Sequence, residues 1–116
     1  MSDLATVFTQ AAALLEPEGA WCQRVFGVRD GRAIRDDNTK GCQQRCLVGA
    51  VREVCESSKR TRKLRAPAER ALAAALPCAP MNWNDQPERT QDEVVAVLYA
   101  LAVVTPVLLS EGADNA

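Results

Sequence analysis

Histidine is absent from this chain of 116 residues. That excludes Ser-His-Asp and Cys-His catalysis, histidine-ligated metals and a histidine pH switch. Aromatic residues contribute only 4%, so the core has to be built from Leu, Val and Ala, and Ala-rich segments filled with Leu and Val favour helices in close contact. Paired cysteine spacing is missing too. The five cysteines, at 22, 42, 46, 55 and 78, are odd in number and match no zinc ribbon or knuckle, so neither a metal site nor a cofactor is expected. No phosphate-cradling glycine loop is present. The uncharged run 94–109 is too short, and too interrupted by Pro106, to read as a membrane span. Met1-Ser2-Asp3-Leu4 has no basic or apolar leader region, so no secretory signal is expected and the setting reads as a reducing cytoplasm with free thiols. The weaker alternative is a disulfide between Cys42 and Cys46, if they sit on adjacent helical turns.

Hydrophobic residues at 47% and charged residues at 25%, with a net charge of −1, describe one soluble globular domain and argue against a general polyanion binder. The expected fold is mainly α: a compact bundle of about four helices, near 3–16, 39–56, 66–76 and 90–104. A short β-ribbon or an irregular loop is expected at 19–34. The domain reads as 1–109, with 110–116 as a frayed tail.

The first helix, capped by Ser2 or Asp3, carries Leu4, Val7, Phe8, Ala11, Leu14 and Leu15 at helical spacing and ends at Pro17 and Gly19. Asp30-Gly31, between short apolar runs, readily takes the positive φ angles of a tight hairpin turn. A helix starting at Asn38 or Thr39 would turn Cys42, Cys46, Gly49 and Ala50 inward, a thin face suited to close approach by another helix. Residues 81–89 read as an ordered loop leading to Thr90 and Glu93, which fit a capping box. The helix that follows is apolar all round and is therefore expected at the centre, with Pro106 as its stop.

The order Trp21-Cys22-Gln23, Asp30-Gly31, Cys46-Leu47-Val48-Gly49-Ala50, Trp83-Asn84-Asp85 and Arg89-Thr90-Gln91-Asp92-Glu93-Val94 resembles a family of small actinobacterial, proteobacterial and phage proteins of unknown function. The resemblance spans most of residues 4–104 and implies no activity.

Three site readings follow. Trp21, Gln23, Trp83, Asn84, Asp85 and Arg89 form the candidate ligand or partner site, the loops at 19–30 and 81–89 being expected to meet. The competing account has Trp83 plugging the core, Asn84 and Asp85 satisfying loop amides, and Arg89 pairing with Asp85. Lys59, Arg60, Arg62, Lys63 and Arg65 form a candidate polyanion contact, or a solvated linker. Cys46, expected about a turn inside its helix, reads as a small buried hydrophobe and not as a nucleophile. The preferred function is a protein-binding or regulatory domain without catalysis, with homodimerisation through the last helix as an extension. The alternatives are nucleic-acid binding through 59–65, or a histidine-independent enzyme or small-ligand binder at Asn84, Asp85 and Arg89.

Overall fold

The computed structural model describes residues 3–36 and 38–114, with 106–114 given by their backbone only. Ser2, a candidate cap, Asp37, and residues 115–116 of the expected tail lie outside the described residues. The protein is mainly helical, with a small antiparallel sheet. The elements are α1 (Asp3–Leu15), β1 (Gly27–Arg29), β2 (Arg32–Ile34), β3 (Gln44–Arg45), α2 (Leu47–Glu56), α3 (Lys59–Arg62), α4 (Arg65–Ala75), α5 (Pro80–Asn84) and α6 (Gln91–Asp114). Among the described residues six helices stand where about four were expected, the additions being the single turns α3 and α5.

Leu4, Val7, Phe8, Ala11, Ala12 and Leu15 of α1 are buried, with α6 on one side and α2 on the other. Pro17 and Gly19 end α1 as expected: Gly19 takes φ 78°, and Ala20 N–H closes a turn on the Pro17 carbonyl at 3.0 Å. The hairpin is also as read. Asp30 and Gly31 have φ of 52° and 79°, the pairing demanded by a tight two-residue turn, and β1 pairs with β2 in the register Val28↔Ala33.

The expected helix from 38 or 39 begins only at Leu47. Before it, Cys42 N–H closes a turn on Thr39, Gly41 takes φ 81°, and Gln44–Arg45 join the far edge of β1, giving the order β2-β1-β3. Strand pairing has overridden a helical spacing, so Cys42 and Cys46 do not share a helix. Cys46 is instead the extended N-cap of α2, its Sγ accepting the Gly49 N–H at 3.2 Å. The closest approach to the thin face, at Gly49, comes from the backbone leading into β1, while Cys46 meets Met81 of α5. A Cβ on Gly49 would stand 2.6 Å from the Phe26 carbonyl oxygen, and one on Gly27 would stand 2.9 Å from that of Gln44.

Three further expectations are corrected. Residues 80–84 are helical and not loop, with Pro80 at the first helical position where its missing N–H costs nothing. α6 is not central: Val94, Leu98, Leu101 and Thr105 are buried against the body, while Ala96, Tyr99, Ala100, Val103 and Val104 face outward. Its apolarity all round measures composition, and only one stripe finds a packing partner. Nor does Pro106 stop it. A proline removes one backbone bond of a helix and need not end it, and α6 continues to Asp114.

Candidate functional site

The loop after α1 and the short helix α5 meet at the N-terminus of α2. Asn84, with no exposed surface, is the knot. Its Oδ1 accepts the Trp21 indole N–H at 2.7 Å and the Leu47 backbone N–H at 3.0 Å. Its Nδ2 donates to the Cys22 carbonyl at 3.2 Å and to Asp85 Oδ1 at 2.9 Å. An amide side chain offers two lone pairs and two protons, so every one is used. Because Leu47 opens α2, Asn84 caps that helix from across the fold, beside the Cys46 thiol, and together they satisfy two of its four orphan N–H groups.

Gln23 reinforces the junction, its Nε2 donating to the carbonyls of Asn84 at 2.9 Å and Gln86 at 2.8 Å. Asp85 Oδ1 also accepts the Arg24 N–H at 2.8 Å, which holds Arg24 at φ 72°, a left-handed conformation uncommon for a side chain of this size. Arg89 does not reach Asp85 as the pairing account supposed. Its guanidinium lies 3.8 Å from the Trp83 ring centroid, and it donates to the Trp83 carbonyl at 3.0 Å, Gln86 Oε1 at 2.8 Å and Glu93 Oε2 at 2.9 Å. Trp21, Gln23, Trp83, Asn84, Asp85 and Arg89 thus fall in one connected cluster, in which the Asn84 amide is fully committed to neighbours and backbone.

The capping box has both of its bonds. Glu93 N–H donates to Thr90 Oγ1 at 3.2 Å, and Thr90 N–H donates to Glu93 Oε1 at 3.0 Å. Hydrogen bonds from Thr90, side chain first, hold the Glu93 carboxyl below its ordinary range.

Burial pushes the thiols away from reactivity. Cys22 is raised to about 12, and Cys55 to about 11. Cys46 is raised by burial, against the opposing pull of the α2 amides. All five cysteines are unbridged. Among the described residues, no group of three or more Cys, Asp or Glu is arranged to hold a metal ion.

The basic segment is placed apart from this cluster, on α3 and the start of α4. Arg60 pairs with Asp3 at 2.6 Å, Arg62 with Glu56 at 3.3 Å, and Arg65 with Glu56 at 3.4 Å and Glu69 at 3.8 Å. Lys59 and Lys63 flank these pairs on the exposed side. A count of cations along the sequence misses the three carboxylates brought to them by the fold.

Sequence reasoning missed a second polar node. Glu53 Oε1 accepts from the buried Thr39 hydroxyl at 2.7 Å and from Arg45 Nε at 2.6 Å, tying the connector and β3 to α2. Beside it opens a polar cleft of about 670 Å³ between Asn38, Lys40, Glu56 and Arg65. Nothing in the local spacing of Thr39, Arg45 and Glu53 announces it. No helix among the described residues is long and apolar enough to cross a membrane.

No curated protein and no solved structure matches the chain. A family model does match, over residues 1–103, nearly all of the cluster, sheet and helices described above, and the chain belongs to that family, a family of unknown function (DUF6197).

Proposed function

We propose that this domain is a protein-interaction module that works without catalysis and docks its partner through the outward face of α6. One observation carries the reading. The exposed large hydrophobic residues among the described residues are Tyr99 (37%), Val103 (75%) and Val104 (44%), and all three lie within two turns of one helix. A lone exposed valine needs no explanation, but a contiguous apolar face on an otherwise well-packed domain marks a contact surface. The length of α6 supports it. At 1.5 Å per residue its 24 residues span roughly 36 Å, against roughly 20 Å for the 13 of α1 that run back along it. Gln91 ties the start of α6 to the end of α1, through carbonyls of Leu15 at 2.7 Å and Pro17 at 2.6 Å. The C-terminal part of α6 therefore outruns the helix beneath it.

The unbridged thiols support a cytoplasmic setting, and the motif resemblance supports a bacterial or phage origin. The enzyme reading at Asn84 and Asp85 draws less support, because Asn84 has no bonding capacity left for a substrate. Polyanion binding through Lys59, Arg60, Arg62, Lys63 and Arg65 would have to compete with Asp3, Glu56 and Glu69.

A photo-crosslinking residue placed at Val103, with Asn82 as an exposed control on α5, tests the reading in the native host. A discrete protein adduct from position 103 alone is expected. No adduct from 103, or the same adduct from both positions, refutes it.

A further inference from the structure

We infer that the partner on α6 is a basic amphipathic helix of another protein, with apolar residues at helical spacing flanked by Lys or Arg; this rests on α6 being the contact face. The charge of the chain is sharply divided. All but one of the 14 Lys and Arg residues lie between Arg24 and Arg70. The exception, Arg89, is spent on Glu93, Gln86 and the Trp83 ring. Neither α1 nor α6 contains a cation.

Around the N-terminal end of the apolar face stand the exposed carboxylates of Glu16, Glu18 and Asp92, and Glu16 accepts the Tyr99 hydroxyl proton at 3.0 Å. Ala96 and Ala100 keep the stripe low beside Tyr99 and Val103, so a second helix can lie close along it. An apolar seam with acid at its end and no cation of its own is complementary to a basic amphipathic helix, the arrangement of helix-in-groove recognition.

The other occupants fit less well. Two copies pairing α6 to α6 would set Asp92 either against itself or against the turns that carry Glu111 and Asp114 in the sequence. A second copy offering its basic half would bring charge without anchors, because exposed large hydrophobics occur only on α6 among the described residues. An anionic lipid surface would be repelled by the same carboxylates.

The test is selection of peptides from an unbiased displayed random library on the full chain. Titrations of the recovered peptides against wild type, Val103→Asp and Asp92→Lys follow, with sedimentation of the wild type alone. Val103 is largely exposed, so V103D should melt with the wild type; if it does not, Ala100→Glu replaces it. Expected are Lys/Arg-flanked apolar peptides whose affinity drops at least about tenfold in V103D and about threefold in D92K, falls with added salt, and a monomeric wild type. Acidic or uncharged peptides that still lose affinity in V103D would overturn the basic partner while leaving α6 as the contact face, as would an α6-dependent dimer. Binders indifferent to V103D, or no binder at all, would overturn both.

Discussion

Replacing Asn84 by Ala tests the knot directly. The substitution removes two acceptor and two donor contacts at once, and the partners left behind differ in burial. The Leu47 N–H is buried at the head of α2 and has no route to water, so its loss carries the full cost of an unsatisfied donor, about 1–3 kcal/mol. The Trp21 N–H and the Cys22 carbonyl are only partly buried, and each should cost about 1 kcal/mol. Asp85 keeps the Arg24 amide and loses least. The sum is about 3–5 kcal/mol, a large share of the 5–15 kcal/mol that typically holds a domain folded. Urea unfolding followed by tryptophan fluorescence is the assay, because both indoles, Trp21 and Trp83, border the cluster. The midpoint should fall by that amount with little change in slope. Asn84→Asp should also be destabilised, and more at pH 7 than near pH 4. A new carboxyl, buried beside Asp85, has its folded pKa raised above the unfolded value, so its penalty grows as pH rises. A loss below about 0.5 kcal/mol in the Ala variant would mean that these four contacts are not holding the junction.

Thr90→Ala should lower stability by about 0.5–2 kcal/mol through loss of the α6 cap, read as a lower urea midpoint. The depressed Glu93 carboxyl contributes stability that is present above its unfolded pKa and lost as pH falls through the folded one; T90A should flatten that acid limb, and an unchanged limb would refute it. Gly49→Ala should cost about 1–3 kcal/mol, because its Cβ would press on the Phe26 carbonyl; a neutral result would show that the sheet can back away from α2. At pH 8, Cys22, Cys46 and Cys55 should resist iodoacetamide in the folded chain and react on unfolding, since their raised pKa keeps them protonated; rapid native alkylation of Cys46, followed by mass spectrometry, would reopen a nucleophilic role.

What the sequence made legible was local chemistry. Thr90 and Glu93, Asp30-Gly31, and Pro17-Gly19 each act within a few residues, and each does in the structure what its spacing predicts. Several of the failures needed partners far along the chain. Gln44–Arg45 became a strand because β1 lay beside them, and Cys46 became a cap because its N–H is taken by the Phe26 carbonyl at 2.9 Å. Asn84 caps a helix that begins 37 residues earlier, a bond no spacing rule encodes. The misplacement of α6 has a different origin. A hydrophobic run states what may be buried, and the area available on α1 and α4 decides how much of it is.

The motifs that drew attention as possible chemistry are joined in one hydrogen-bonded network. Trp21 reaches Asn84, Asn84 reaches Leu47, Cys46 reaches Gly49, and Arg89 joins Trp83 to Glu93 and so to the cap of α6. Such a network has to be complete to be worth its burial, because a half-satisfied polar cluster costs more than an apolar one. At Asn84 the commitment is full: a ligand could engage its side chain only by breaking a bond, one of which holds the first turn of α2. On the proposed reading, recognition falls to surfaces whose groups are not already committed. The outward face of α6 meets that condition with apolar area, while the cations of α3 and the start of α4 meet it only in part, being paired to carboxylates. A loss of partner binding in V103D with the urea midpoint intact, beside a loss of stability in Asn84→Ala, would separate the two roles on one molecule.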